Sequence, residues 1–101
     1  MTKYNKLVRD KIPEYIKSKG VTPITHIADN NEYWEKLLEK LPEEFKEFIE
    51  AQNQEEFADI QEVLRAIAEY KHFDLQEIEE IRKRKLKERG GFKERIILDE
   101  S

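Results

Sequence analysis

Two acidic patches, EEFKE at Glu43–Glu47 and EEFAD at Glu55–Asp59, hold the residue types from which a reactive site could be built. Each contains a carboxylate pair three residues apart, Glu44 with Glu47 and Glu56 with Asp59. On a helix that spacing puts both members on one side of the rod, about a turn apart. Four carboxylates gathered on one wall would form an all-oxygen ligand set suited to magnesium, or to manganese in its place. Water and phosphate oxygens would complete the octahedron.

Spacing alone does not single these residues out. Eight acid pairs occur at this interval, at 29–32, 32–35, 44–47, 47–50, 56–59, 59–62, 74–77 and 77–80, and most should be solvated helix faces. Angular position separates them. With Glu44 at zero and about 100° per residue, Leu37, Leu41, Phe48 and Phe45 fall between roughly 20° and 100°. Glu44 therefore lies inside the apolar sector with Glu47 at its edge, whereas Glu32, Glu35, Glu39 and Glu50 point away. The next helix repeats the arrangement. With Glu56 at zero, Phe57, Ile60, Leu64 and Ile67 occupy roughly 20° to 100°. Glu56 is inside that sector, Asp59 is at its edge and Glu62 is outside.

A carboxylate turned toward a core without a cation is destabilising, and two such pairs facing one another raise each other's pKa. A divalent ion would relieve both problems. Lysine and arginine partners in structural ion pairs would also relieve them, and helix geometry alone leaves both readings open.

The last helical stretch adds cations. Relative to Leu75, its apolar residues span roughly 240° to 20°, and Arg82, Lys85 and Arg89 share that sector while Lys83, Arg84 and Lys87 face outward. Inward cations of this kind serve either as salt-bridge partners or as phosphate binders. Gly90-Gly91 reads as a helix stop, although a glycine turn can also present backbone N–H groups to an anion. Lys6, Arg9 and Lys11 read as a solvated basic face. His26 and His72 lie in separate loops without ligand or triad spacing, and no Walker loop or nucleophile constellation is present.

The elements that must position these groups follow from periodicity and caps. After a short mixed opening over 1–8, Asp10 is expected to cap a first helix containing Ile12, Pro13, Tyr15 and Ile16 and ending at Gly20. Val21 to Ala28 is a connector with a brief extended piece. Asp29 or Asn30 caps a second helix that runs through Tyr33, Trp34, Leu37, Leu41, Phe45 and Phe48 and that Pro42 should kink or split. A polar turn at Gln52–Gln54 leads into a third helix from about Glu55 to Tyr70. Asp74 and Glu77 form a capping-box signature for the fourth, which stops at Gly90-Gly91. Phe92 to Leu98 reads as a short strand or an extended tail. The expected fold class is all-α, a four-helix-bundle type in one domain over 1–101, with short extended N- and C-terminal segments.

Composition sets outer limits. The chain has 101 residues, 38% hydrophobic and 42% charged, too few apolar groups for a large solitary core, so completion by dimerisation is expected. The net charge of −4 argues against bulk affinity for nucleic acid, including through the basic stretch Arg82–Arg95, and against anionic membranes. Cysteine is absent, which excludes disulfides and thiolate metal sites. No apolar run approaches the roughly 20 residues of a membrane span, and the polar N-terminus has no signal-peptide core, so a cytoplasmic location is expected.

The ordered set KLVRDKIPE near the start, EExxE at Glu43–Glu47, ExxD at Glu56–Asp59 and KLKERGGF at Lys85–Phe92 resembles the MazG-like all-α nucleotide pyrophosphohydrolases. That superfamily includes phosphoribosyl-ATP pyrophosphohydrolase and enzymes that clear nucleoside triphosphates. The resemblance covers nearly the whole chain. It implies magnesium-dependent hydrolysis of a nucleotide substrate to monophosphate and pyrophosphate, at a four-helix site assembled in a homodimer or dimer of dimers. It carries the metal and catalytic roles to Glu44, Glu47, Glu56 and Asp59, and phosphate binding to Lys85 and Arg89 with Arg82 beside them. Glu43, on the outer flank, would support a ligand or orient a water. The chain departs from the family pattern in two places: only eight residues separate Glu47 from Glu56, and Pro42 precedes the first motif. The turn between the two acidic helices must therefore be tight. A non-catalytic acidic helical interaction module is the competing reading. It accounts for the composition but not for two matched pairs of inward acids.

Overall fold

A computed structural model describes residues 3–101 and contains four helices and, among those residues, no strand. They are α1 (Ile12–Ser18), α2 (Asn30–Ala51), α3 (Gln54–Tyr70) and α4 (Leu75–Arg89). Met1 and Thr2 of the mixed opening stretch lie outside the described residues.

The centre of the fold is the α2–α3 hairpin. Asp29 caps α2 by accepting from the Glu32 amide at 2.9 Å, and Asn53 caps α3 by accepting from the Glu56 amide at 2.9 Å. Only Gln52 and Asn53 separate the helices, and Gln52 turns the chain by taking a left-handed conformation with φ 52°. The two rods run antiparallel. Near the turn Phe48 meets Phe57 edge-on at 6.0 Å, and at the far end Trp34 stacks on Tyr70 at 5.2 Å while Tyr33 meets the same ring edge-on. The Tyr70 hydroxyl donates to the Asn30 carbonyl at 3.3 Å, tying the end of α3 to the start of α2. Between these aromatic clusters Leu37, Val63 and Ala68 are buried, and Leu37 retains 1% of its accessible surface.

Pro42 does not end or divide the second helix, which runs unbroken for 22 residues. The expected interruption fails because Pro42 is exposed, about half a turn from the packed stripe. The carbonyl it leaves without an amide partner is that of Leu38, on the outer side where water can reach. The apolar stripe on both sides of the proline rests on α3 and holds the rod together. Asp10 does not cap α1 either. Lys11 occupies that position without a side-chain bond, since the Ile12 amide is already satisfied by the Arg9 carbonyl at 3.0 Å and Pro13 has no amide to satisfy.

At α4 the expected cap is present, with Asp74 accepting from the Gln76 and Glu77 amides at 2.9 and 3.2 Å. The helix ends at Gly90, whose φ of 80° and extended ψ of 176° place it in a region open almost only to glycine. α1 and α4 contribute no buried residue, so within one chain only α2 and α3 share an extensive interface. Leu75 and Leu86 are each half exposed, and the segment after Gly91 is coil with Phe92 98% exposed. No helix among the described residues is long and apolar enough to cross a membrane.

Candidate functional site

The hairpin brings the four sequence-predicted carboxylates together. One oxygen from each of Glu44, Glu47, Glu56 and Asp59 lies within 4.8 Å of every other. α2 supplies the first pair and α3 the second, each at the one-turn spacing read from the sequence. The short turn makes the meeting possible. Glu47 lies five residues before Gln52 and Glu56 three after Asn53, so the two pairs come level across the antiparallel rods.

Burial is graded through the cluster. Glu44 retains 7% of its accessible surface, Glu56 and Asp59 are half-buried, and Glu47 is exposed. Two oxygens, Glu44 Oε2 and Glu56 Oε2, are sealed from solvent without any hydrogen-bond partner. Such an atom loses its hydration with nothing in exchange, which is unfavourable for a polar group and more so for a charged one. Electrostatics register the same stress. Burial first, and then the Glu47 carboxylate beside it, push the Glu44 carboxyl above the ordinary carboxylate range. Glu56 is also raised, by desolvation first and then by the charges of Glu47 and Asp59.

Cations reach the rim and leave the centre of the cluster unneutralised. Lys40 sits 3.4 Å from Glu43 Oε1 and 3.6 Å from Glu44 Oε1. Lys6 Nζ lies 3.0 Å from the same Glu43 oxygen, and Arg9 Nη2 donates to Asp59 Oδ1 at 2.8 Å. Lys6 and Arg9 are exposed, as expected of a solvated face, but each also reaches a carboxylate of the hairpin. These two side chains fasten the irregular N-terminal segment onto α2 and α3. Their partners are 37 and 50 residues away in sequence, separations that no periodicity reveals. Lys40, at three and four residues from Glu43 and Glu44, was legible from helix spacing. The competing reading of neutralising ion pairs therefore holds in part, for Asp59 through Arg9 and for Glu44 Oε1 through Lys40, as it does for Glu43 with its two lysines. It does not extend to the buried oxygens of Glu44 and Glu56.

A cavity of about 470 Å³ opens beside the cluster, between the N-terminal segment and the hairpin. Glu44 and Asp59 border it, Leu37 and Val63 form apolar wall, and Arg9 and Lys40 are among its cations. Arg82, Lys85 and Arg89 do not border it. Arg82 is paired with Glu79 on its own helix through Nε at 3.0 Å, and Lys85 and Arg89 are exposed. Tyr33 reaches the cavity, whereas Trp34 is covered by Tyr70 on one side with Lys71 4.9 Å from its ring. His26, assigned no role from sequence, meets Glu32 Oε1 through Nε2 at 2.8 Å.

The donor set could hold a hard divalent cation. Oxygens on opposite sides of an ion with bonds of about 2.1 Å stand about 4.2 Å apart, and the four here lie within 4.8 Å of one another. The two unpartnered buried oxygens are acceptors for which the described residues provide no donor.

Comparison with known proteins adds no activity. No family model matches the chain, and no solved structure matches it. A Mycolicibacterium smegmatis protein described as uncharacterized is 49% identical over 41 residues, which is 41% of this chain. The match spans 42% of that protein's own length.

Proposed function

We propose that this protein is a nucleotide pyrophosphohydrolase dependent on magnesium, or on manganese in its place. It cleaves the bond between the α- and β-phosphates of a nucleoside triphosphate or of phosphoribosyl-ATP. The observation that carries this reading is the convergence of Glu44, Glu47, Glu56 and Asp59 around two sealed oxygens that no protein donor satisfies. The sequence resemblance to the MazG-like enzymes, carried in part by the same acidic motifs, agrees with it.

In this reading the four carboxylates hold the cation, with Glu44 the most rigid because it is buried in the hairpin interface. When bound, the cation lowers the pKa of water and offsets charge on phosphate oxygens. Glu47, the most accessible of the four, takes the proton as the water oxygen bonds to phosphorus. The bridging oxygen–phosphorus bond breaks and its electron pair leaves with pyrophosphate. The exposed apolar residues of α4 and the tail, Leu75, Leu86, Phe92 and Ile96, are covered by a second copy of the chain. That homodimer, or a dimer of dimers, brings Lys85 and Arg89 to phosphate oxygens. Its setting is the cytoplasmic nucleotide pool.

The deciding assay is pyrophosphate release from a panel of standard and oxidised nucleoside triphosphates and phosphoribosyl-ATP, with and without magnesium. Magnesium-dependent release of pyrophosphate and a monophosphate is expected. No release from any member would leave a non-catalytic acidic interaction module as the better account.

A further inference from the structure

We propose that Arg9, on the irregular segment before α1, is a phosphate-binding residue of this site, aimed by its hydrogen bond to Asp59; the proposal rests on the pyrophosphohydrolase reading above. The charge balance favours such a group. Four carboxylates and one divalent ion leave two negative charges, Lys40 at Glu44 offsets one of them, and a polyphosphate is held better where a further cation stands at the same place.

The available cations differ in how free they are. Lys40 is largely covered, with 17% of its side chain exposed, and is held between Glu43 and Glu44. Lys6 is committed to Glu43 at 3.0 Å. Lys11 also borders the cavity and is exposed, but it offers an ammonium, and Arg9 is the guanidinium on the cavity wall. Its side chain is 59% exposed, and a single N–H bond, from Nη2 to Asp59 Oδ1 at 2.8 Å, is formed with a described side chain. A guanidinium carries five N–H donors in a planar fork, so the bond to Asp59 leaves other donors over for a ligand. That fork matches paired phosphate oxygens better than an ammonium does.

The bond to Asp59 has a second use. A carboxylate that gives one oxygen to a cation commonly accepts a hydrogen bond on its other oxygen, which fixes its orientation. Arg9 on Oδ1 leaves Oδ2 of Asp59 for that role. One guanidinium would thus touch both a metal-holding carboxylate and the substrate's phosphate chain. The segment that carries it is secured at two points, by Lys6 on Glu43 and by the Ile12 amide on the Arg9 carbonyl.

The test uses the full chain and two probes that do not depend on the base or on turnover. Manganese binding is measured by electron paramagnetic resonance, and pyrophosphate binding to manganese-saturated protein by calorimetry, for wild type, Arg9→Gln, Arg9→Lys and the outward-facing control Arg84→Gln. Arg9→Gln is expected to weaken pyrophosphate binding by roughly 10- to 100-fold at saturating manganese, the usual range for losing a charged hydrogen-bonding group. Arg9→Lys should recover part of the loss, and Arg84→Gln should behave as wild type with helical circular dichroism unchanged throughout. Wild-type pyrophosphate affinity in manganese-saturated Arg9→Gln overturns the proposal and leaves Arg9 as a partner of Asp59 alone. Failure of the wild-type protein to bind manganese overturns instead the metal site on which the proposal stands.

Discussion

Glu43 and Glu44 are adjacent in sequence and opposite in electrostatic condition. Burial pushes Glu43 up, but Lys6 and Lys40, at 3.0 and 3.4 Å, outweigh it and hold its carboxyl below the ordinary range. Glu44, one residue further round the helix, turns into the hairpin, loses its water and is pushed up, with one oxygen unpartnered. A single 100° step thus separates an acid held by two lysines from one whose second oxygen has no partner among the described residues.

Replacing Glu44 should therefore stabilise the metal-free protein. Because the folded state raises its pKa above the ordinary value of 4.5, folding favours the protonated form. The associated loss of stability is absent well below that pH and grows as pH rises through the raised value. Urea denaturation in chelator at pH 4 and pH 7 should find Glu44→Gln gaining on wild type by about 1 kcal/mol or more at pH 7, with little difference at pH 4. Magnesium should raise the wild-type midpoint and leave that of the variant nearly unchanged. A wild-type advantage at pH 7 without metal would contradict the unsatisfied state of this carboxylate.

Asp59→Asn keeps the shape of the side chain and removes its charge. Magnesium-dependent pyrophosphate release should fall to background while helical circular dichroism stays at the wild-type level. Turnover near wild type in this variant would remove Asp59 from the site.

The hairpin interface depends on few residues, so each counts heavily. Leu37→Ala deletes the most deeply buried side chain and should lower stability by about 2–4 kcal/mol. Thermal unfolding followed by circular dichroism should show an early, broadened transition. Since Leu37 also borders the cavity, magnesium affinity should weaken in parallel.

Coverage of α4 by a second copy is open to direct measurement. Sedimentation equilibrium should report a dimer or larger assembly for the wild-type chain. Leu86→Glu, which puts a charge in the middle of the proposed contact, should shift it toward monomer. A wild-type chain that stays monomeric at high concentration would remove the route by which Lys85 and Arg89 reach the substrate.

Much of the hairpin was legible in the sequence because a helix repeats its environment every 3.6 residues. Leu37 and Glu44 in the apolar sector, Asp29 and Asp74 as caps, and the stop at Gly90 all follow from local spacing. The failures are those of local rules that lacked their surroundings. Pro42 breaks helices in isolation, but here it stands on the outer side of a rod held by α3. Asp10 is a good cap in the abstract, yet a turn amide and a proline left little for it to satisfy. The roles of Lys6 and Arg9 required knowing which helices lie beneath the N-terminal segment, and no repeat in the chain encodes that.

The two-residue link between α2 and α3 sets the angular phase of one acid pair against the other. An extra residue between Gln52 and Asn53 would change the direction and phase in which α3 leaves the turn, moving Glu56 and Asp59 relative to Glu44 and Glu47 while every helix kept its own sequence. The same insertion in the connector before Asp29 would leave that phase untouched. Length variation among related chains should accordingly gather in that connector and avoid the hairpin tip.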